Sequence, residues 1–207
     1  MEDSDLRLGG WNRPRRVTLA RILGLLITVG LVVVLVGPQI VNPFTANVNM
    51  NNIEPLWQHT NEADSQEYNG LLKLRTQEYE SVDGKTGLLY VIALSSLVSL
   101  ADLPLDLEQA VADRVQEEAE LQQAELTNGR RVGTLSISQG HTAELLQWDA
   151  SVTGTAGFFG WLGVVGGNLQ VLAAYWEVEQ GLVICVAFGT ETLRIDEATR
   201  MMRSVQT

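Results

Sequence analysis

Residues 169–191 read LQVLAAYWEVEQGLVICVAFGTE, and this stretch decides the fold class. It holds two apolar runs, 169–178 and 182–188, on either side of Gln180-Gly181. A short connection containing glycine between two β-type runs is typical of a hairpin. The stretch therefore predicts two neighbouring antiparallel strands.

Further strands are predicted on both sides of a central helical region. Residues 71–79 alternate between apolar and polar side chains, as in a half-exposed strand, and 88–100 (LLYVIALSSLVSL) read as a buried one. Asp83-Gly84 and Gly87 mark the hairpin between them. Residues 131–138 and 143–152 form a second pair of strand-like runs around Gln139-Gly140.

Two helices complete the pattern. The first begins after Pro104 and Asp106 and is predicted to run to about Thr127, where Asn128-Gly129 would stop it. The second begins near Thr192 or Asp196 and ends near Val205. The order β-β-α-β-β-β-β-α predicts an α+β domain over residues 68–207, with an antiparallel sheet of about six strands packed with two helices on one or both faces.

This order resembles that of PsbP-type domains and of membrane-anchored prokaryotic domains of unknown function. The most similar part is YWEVEQGLVICVAFGTE at 175–191, followed by a short helix. The resemblance covers residues 68–207 and implies the fold alone, because no ligand position of that family can be recognised in this chain.

An apolar segment precedes the domain. Residues 17–37 (VTLARILGLLITVGLVVVLVG) contain one charge, Arg21, which lies near enough to the segment's start to reach the headgroups. As a helix they would span about 31 Å, close to the hydrocarbon thickness of a bilayer. We expect an uncleaved transmembrane helix, since the small-x-small pattern of a signal-peptide cleavage site is missing.

Basic residues set the predicted topology. Arg13, Arg15 and Arg16 precede the apolar segment, whereas the first basic residue after it is Lys73. The positive-inside rule then predicts a cytoplasmic tail at 1–16, a transmembrane helix at 17–37, an Asn-rich stalk at 38–67 and an extracytoplasmic domain at 68–207. The expected location is the cell membrane, as a single-pass protein.

The charge distribution narrows the possible partners. The formal net charge is −11, and the acidic excess lies beyond residue 21, which disfavours binding to nucleic acid. Lysine is scarce beside arginine, a bias that either a salt-rich environment or GC-rich codon usage would produce. With one cysteine, Cys185, and no glycosylation sequon, a prokaryotic source is expected.

No pattern of catalytic or metal-binding residues stands out. Ser136, Ser138, His141 and Asp149 are close in sequence, but they lack a GxSxG elbow and a recognisable oxyanion hole. His59 and His141 have no second ligand at a metal spacing. Cys185 is expected to be a buried structural thiol. We therefore expect no enzyme activity, no metal and no cofactor.

The segment 154–167 (GTAGFFGWLGVVGG) is the most unusual one. Glycine at every third position is unfavourable in a helix and in a strand, so the segment is predicted to be a flexible apolar loop. Its large apolar side chains would pack into the domain's own core, enter the bilayer interface or contact a partner. The residues predicted for membrane or partner contact are Phe158, Phe159, Trp161, Leu162, Val164 and Val165.

These features predict a function without catalysis. The expected role is a membrane-anchored, extracytoplasmic accessory or scaffold subunit of a membrane or cell-surface assembly, partnered by the lipid bilayer and by a membrane protein or further copies of the chain. The alternative is an extracytoplasmic domain that binds a small ligand or lipid. A deep pocket lined by Trp148, Tyr175 and Trp176 would favour that alternative.

Overall fold

The computed structural model describes residues 44–67, 72–83, 86–96, 106–161, 163 and 165–207. Within them the chain forms an α+β domain built on one seven-stranded, fully antiparallel sheet, in the order β2-β3-β4-β8-β7-β6-β5. The strands are β1 Asn47–Val48, β2 Trp57–Glu67, β3 Leu72–Ser81, β4 Gly87–Ser96, β5 Ala124–Ser136, β6 Thr142–Val152, β7 Asn168–Val178, β8 Gly181–Gly189 and β9 Val205–Gln206. Strands β1 and β9 form a separate pair.

The sheet consists of two meanders joined side by side. Strands β2, β3 and β4 follow one another in sequence and in space, and so do β5, β6, β7 and β8. The join is the antiparallel pair β4–β8, in which Gly87 lies opposite Gly189 and Ser95 opposite Gly181. The hairpins predicted around Asp83-Gly84, Gln139-Gly140 and Gln180-Gly181 are confirmed by these pairings.

Three helices accompany the sheet in the described chain. They are α1 Leu107–Leu121, α2 Gly157–Trp161 and α3 Thr192–Arg203. Asp106 caps α1, because its carboxylate accepts a hydrogen bond from the backbone N–H of Gln109 at 3.2 Å. The predicted α+β class and the predicted helix start at Asp106 are thus confirmed, while the sheet has seven strands rather than about six.

A hydrophobic core lies on each face of the sheet. On the α1 face, Val111, Val115 and Ala119 of the helix pack against strand residues such as Ile92 and Ile184. On the opposite face, residues of α3 pack against the alternate residues of the same strands. This cluster contains Val91, Val183, Cys185, Ala198, Met201 and Met202. Strand β8 is buried along its whole length, since both of its faces are covered. The expectation that Cys185 is buried is confirmed.

Residues 44–67, predicted as stalk, belong to the folded domain. Ala46, Val48 and Trp57 are buried in the core of the α3 face, and Trp57–Glu67 is the edge strand β2. The predicted boundary at residue 68 was therefore wrong. Residues 58–65 of β2 are exposed and, except for Ala63, polar. Backbone pairing with β3 and polar side-chain bonds such as Asp64–Arg75 hold the strand, and these leave little hydrophobic pattern in the sequence.

The first helix ends earlier than predicted. It ends at Leu121, and Gln123 makes the turn with a positive φ of 50°. Asn128-Gly129, predicted to stop the helix, instead lies in an irregular part of β5, where the register shifts between Thr127 and Arg130.

The predicted cytoplasmic tail and transmembrane helix at 1–37 lie outside the described residues, and so do Arg13, Arg15, Arg16 and Arg21. Within the described part of the chain, no helix is both long enough and apolar enough to cross a membrane.

Candidate functional site

Several loops and strand ends of the domain lie together at one end of the sheet. The β3–β4 hairpin, the ends of β8 and β6, and the starts of β2, β7 and β5 all lie there, as the pairs Trp57–Ser81, Gln170–Gly189 and Ala124–Val152 show. We call it the hairpin end. The C-terminus of α1, the segment 153–167 and the N-terminus of α3 complete it.

Exposed apolar side chains concentrate at the hairpin end. Among the described residues, seven large apolar side chains are exposed, and five lie there: Leu56, Val82, Leu121, Val165 and Leu193. The other two, Met50 and Val132, lie elsewhere on the domain. Scattered single apolar residues are normal on a protein surface, whereas their concentration at one end suggests a contact surface.

Hydrogen bonds and one close backbone contact divide the five residues into two groups. The Val82 N–H donates to the Leu56 carbonyl at 2.7 Å, and the α3 residue next to Leu193, Arg194, bonds to Asp83. Leu121 and Val165 belong to the second group. The Gly166 N–H donates to the Val152 carbonyl at 2.8 Å, and Gly157 lies directly against the carbonyl of Leu121.

Sequence reasoning missed four of these residues. Only Val165 was predicted as a contact residue, because it lies in a visibly apolar segment. Leu56, Val82, Leu121 and Leu193 are far apart in sequence and have no shared local pattern. Only the sheet topology brings them to the same end.

The segment 153–167 is anchored to the end of α1. The backbone N–H groups of Phe158 and Ala156 donate to the side-chain oxygens of Gln122 and Gln123, at 2.7 and 3.0 Å. Gly157 and Gly160 allow α2 to lie at backbone contact with its neighbours, since an added Cβ would come within 2.8 Å of the Leu121 carbonyl oxygen and 2.6 Å of the Gly154 carbonyl oxygen, respectively. The glycine spacing thus supports a short helix where a loop was predicted.

The predicted contact residues of this segment separate into different environments. Phe159 is fully buried, with its ring 6.4 Å from that of Phe188, and Phe158 packs edge-on against it at the margin of the same core. Phe159 therefore has no surface to offer a bilayer or partner in this conformation. Val165 is 46% exposed. The side chains of Trp161, Leu162 and Val164 lie outside the described residues.

A buried ionic cluster holds the hairpin end together. The Arg194 side chain, 6% exposed, bonds to Asp83 and donates to the Thr86 hydroxyl at 2.8 Å and to the Glu197 carboxylate at 2.7 Å. The Trp57 indole N–H donates to the same carboxylate oxygen at 2.9 Å. The cluster links α3, the β3–β4 hairpin and the start of β2, so we infer that the apolar side chains beside it are held on a rigid base.

Two open clefts occur among the described residues. The larger, about 470 Å³, begins at the hairpin end; its polar lining residues are Thr127, Asp149, Ser151, Asn168, Gln170 and Thr190. The smaller, about 250 Å³, lies between the start of α1 and the β5–β6 pair and is lined by Trp148, Arg130 and acidic residues of the helix. Trp176 is buried in the core of the opposite face, so Trp148, Tyr175 and Trp176 do not line one pocket.

The other sequence candidates do not converge on a site. His141 and Asp149 are eight residues apart along one extended chain, about 26 Å at 3.3 Å per residue. Ser138 donates its hydroxyl hydrogen to the Val205 carbonyl at 2.5 Å, and His59 bonds to Gln77 at 2.6 Å. In the described regions no three His, Cys, Asp or Glu side chains are placed to hold a metal ion.

Known proteins resemble this one only weakly. No protein-family model matches the chain, and no curated protein matches it. The solution structure of cyanobacterial PsbP (CyanoP) from Synechocystis is similar over 80% of this chain and 92% of that protein, with 13% identity and a TM-score of 0.40. The Ran-binding protein Mog1p of Saccharomyces cerevisiae is similar over 70% and 95%, with 13% identity and a TM-score of 0.32. The expected resemblance to PsbP-type domains is confirmed at the level of a weak likeness in fold.

Proposed function

We propose that this chain is a membrane-anchored, non-enzymatic accessory subunit whose extracytoplasmic domain docks a partner protein through the hairpin end. The observation that carries the proposal is the concentration of exposed Leu and Val side chains at that end. The anchor in the proposal is the apolar segment 17–37, and its direction follows from Arg13, Arg15 and Arg16.

The chemistry of the hairpin end suits protein recognition better than catalysis. Its apolar side chains are aliphatic, and the cluster of Arg194, Asp83 and Glu197 beneath them is satisfied internally. An aliphatic patch on a preorganised base contributes to binding by excluding water, at little cost in ordering the surface.

A pair of matched double variants tests the docking. Val82→Ser with Leu193→Ser removes two side chains that are 47% and 52% exposed at the hairpin end. We expect partner recovery with the full-length chain from native membranes to fall about tenfold, as a loss near 1.4 kcal/mol predicts. Met50→Ser with Val132→Ser removes exposed apolar side chains elsewhere and should leave recovery unchanged. Equal recovery with both pairs would contradict the proposal.

Anchoring is tested separately. The full-length chain should stay with the membrane fraction after an alkaline carbonate wash, because a spanning helix resists extraction whereas a surface-bound domain does not. Release into the supernatant would contradict the anchor without bearing on the docking surface.

Small-ligand binding is the second candidate, and the larger cleft is the observation in its favour. The cleft is open and lined mainly by neutral polar side chains, with Asp149 as its one acid. Of the small ligand or lipid expected from the sequence, a small polar ligand suits this cleft better.

A further inference from the structure

The N-terminal segment determines which end of the domain lies nearer the proposed anchor. The Phe44 N–H donates to the Ser95 hydroxyl at 3.1 Å, and the Phe44 ring lies against Gly181. Ser95 and Gly181 pair at the end of the sheet opposite the hairpin end. The chain therefore enters the domain at this far end.

From Phe44 the chain runs along the α3 face of the sheet towards the hairpin end. The Thr45 hydroxyl accepts from Arg75 at 2.9 Å, and the Val48 N–H donates to the Tyr79 hydroxyl at 3.2 Å. Trp57 then starts β2 at the hairpin end. The described chain thus begins at the far end and reaches the hairpin end only at Trp57.

Chain length disfavours contact between the hairpin end and the bilayer. Gly87 and Ser95 are eight residues apart on β4, so the hairpin end lies about 26 Å above the point of entry. The seven steps from Gly37 to Phe44 span about 25 Å at full extension. For the hairpin end to reach the membrane, this connection would have to be fully extended along the height of the domain, which is costly in conformational entropy.

The charges around the hairpin end disfavour a lipid surface as well. Glu120, Glu125 and Glu191 are all exposed there. Anionic headgroups repel carboxylates, whereas a protein surface with Lys and Arg around an apolar centre complements them.

From the position of Phe44, the length of the connection to residue 37 and the exposed acids, we propose an orientation and a partner for the hairpin end. It faces away from the bilayer and docks an extracytoplasmic protein surface that has an apolar centre and a basic rim. This inference rests on the proposed function and adds to it the orientation of the domain and the chemistry of the partner. It assigns Val165 and the other four exposed apolar side chains of the hairpin end to a protein contact rather than to the membrane interface.

Fluorescence energy transfer to lipid tests the orientation. The full-length chain is placed in vesicles of phosphatidylcholine and phosphatidylglycerol that contain acceptor-labelled lipid. One donor dye is attached through Leu193→Cys at the hairpin end, and in a second sample through Gln180→Cys in the exposed turn at the far end. Cys185 is fully buried, and burial raises its pKa, so it should not react with the dye.

We expect strong transfer from position 180 and weak transfer from position 193, as a height difference of about 26 Å predicts. Transfer from position 193 equal to or stronger than that from 180 would overturn the orientation. The docking of a partner could still hold in that case, because it is measured independently with the Val82 and Leu193 variants.

Charge reversal tests the partner's chemistry. Glu125→Lys with Glu191→Lys should reduce recovery of the partner several-fold, because two attractions to its basic rim become repulsions. The matched control, Glu177→Lys with Glu179→Lys, reverses two exposed acids near the far end and should leave recovery unchanged. Unchanged or increased recovery with the hairpin-end pair would overturn the basic rim while leaving the orientation intact.

Discussion

At the scale of single residues, the acids between α1 and β3 stand out. Glu118 is 2% exposed on α1, and its carboxylate bonds to Arg114 at 2.5 Å. Burial raises the pKa of Glu118 despite that arginine, and burial together with the neighbouring Glu80 raises the pKa of Glu78. The fold therefore favours the protonated form of both carboxyl groups more than the unfolded chain does.

Because these pKa values differ between the folded and the unfolded chain, the free energy of unfolding depends on pH. A carboxyl group with a raised pKa in the fold contributes fully below its unfolded value, near 4.3, and the contribution is lost as the pH rises through the raised value. We expect the urea midpoint of the domain to fall as the pH rises above the ordinary pKa of a glutamate, and Glu118→Gln to reduce that fall. The exposed neighbour Glu120→Gln serves as the control. A slope that Glu118→Gln leaves unchanged would contradict the prediction.

At the scale of elements, helix α2 and the turn after it depend on glycines for different reasons. Gly157 has a φ of +77° and lies against the backbone at the end of α1, whereas Gly163 has a φ of +78° with open space around its Cβ position. Alanine at 163 should cost about 1 kcal/mol through its backbone conformation alone. Alanine at 157 adds a steric clash and should cost about 3 kcal/mol. Urea denaturation of the two variants measures the difference; equal costs would mean that the close contact can relax.

Most elements were predictable from local patterns, and the exceptions have physical causes. The buried strand around Ile184 and the turn at Gln180-Gly181 have strong signals, because burial on both faces requires continuous apolar residues. Strand β2 has no such signal, since backbone pairing and polar side-chain bonds to β3 hold it rather than a buried apolar face. Gln123 ends α1 in a conformation usually left to glycine, so the more obvious Asn128-Gly129 was a misleading stop.

At the scale of the whole molecule, the domain begins before residue 57. Ala46 and Val48 contribute to the α3 core, and Trp57 bonds to Glu197 of α3. We expect a fragment of residues 44–207 to unfold cooperatively, and a fragment of 68–207 to be unfolded or aggregated because it lacks β2 and these core side chains. Circular dichroism with urea titration compares the two. A cooperative transition for the shorter fragment would show that 44–67 is dispensable.

The sequence predicted only part of the candidate surface, because its residues are brought together by the fold of the whole domain. The apolar segment 154–167 was visible as a stretch of sequence, yet Phe159 is used by the core. The residues that join Val165 at the hairpin end come from a loop before β2, a hairpin and the ends of two helices. Their proximity depends on the register of seven strands, which local sequence patterns do not contain.

The join between β4 and β8 has a consequence for how the chain folds. Gly87 and Gly189, which lie opposite each other, are separated by most of the domain's sequence. Each meander can assemble from near neighbours, but the central pair of the sheet forms only after a very long loop closes. The seam at the middle of the finished sheet is therefore the step expected to limit the folding rate, and until it closes the apolar edge of β8 is open to association with other chains.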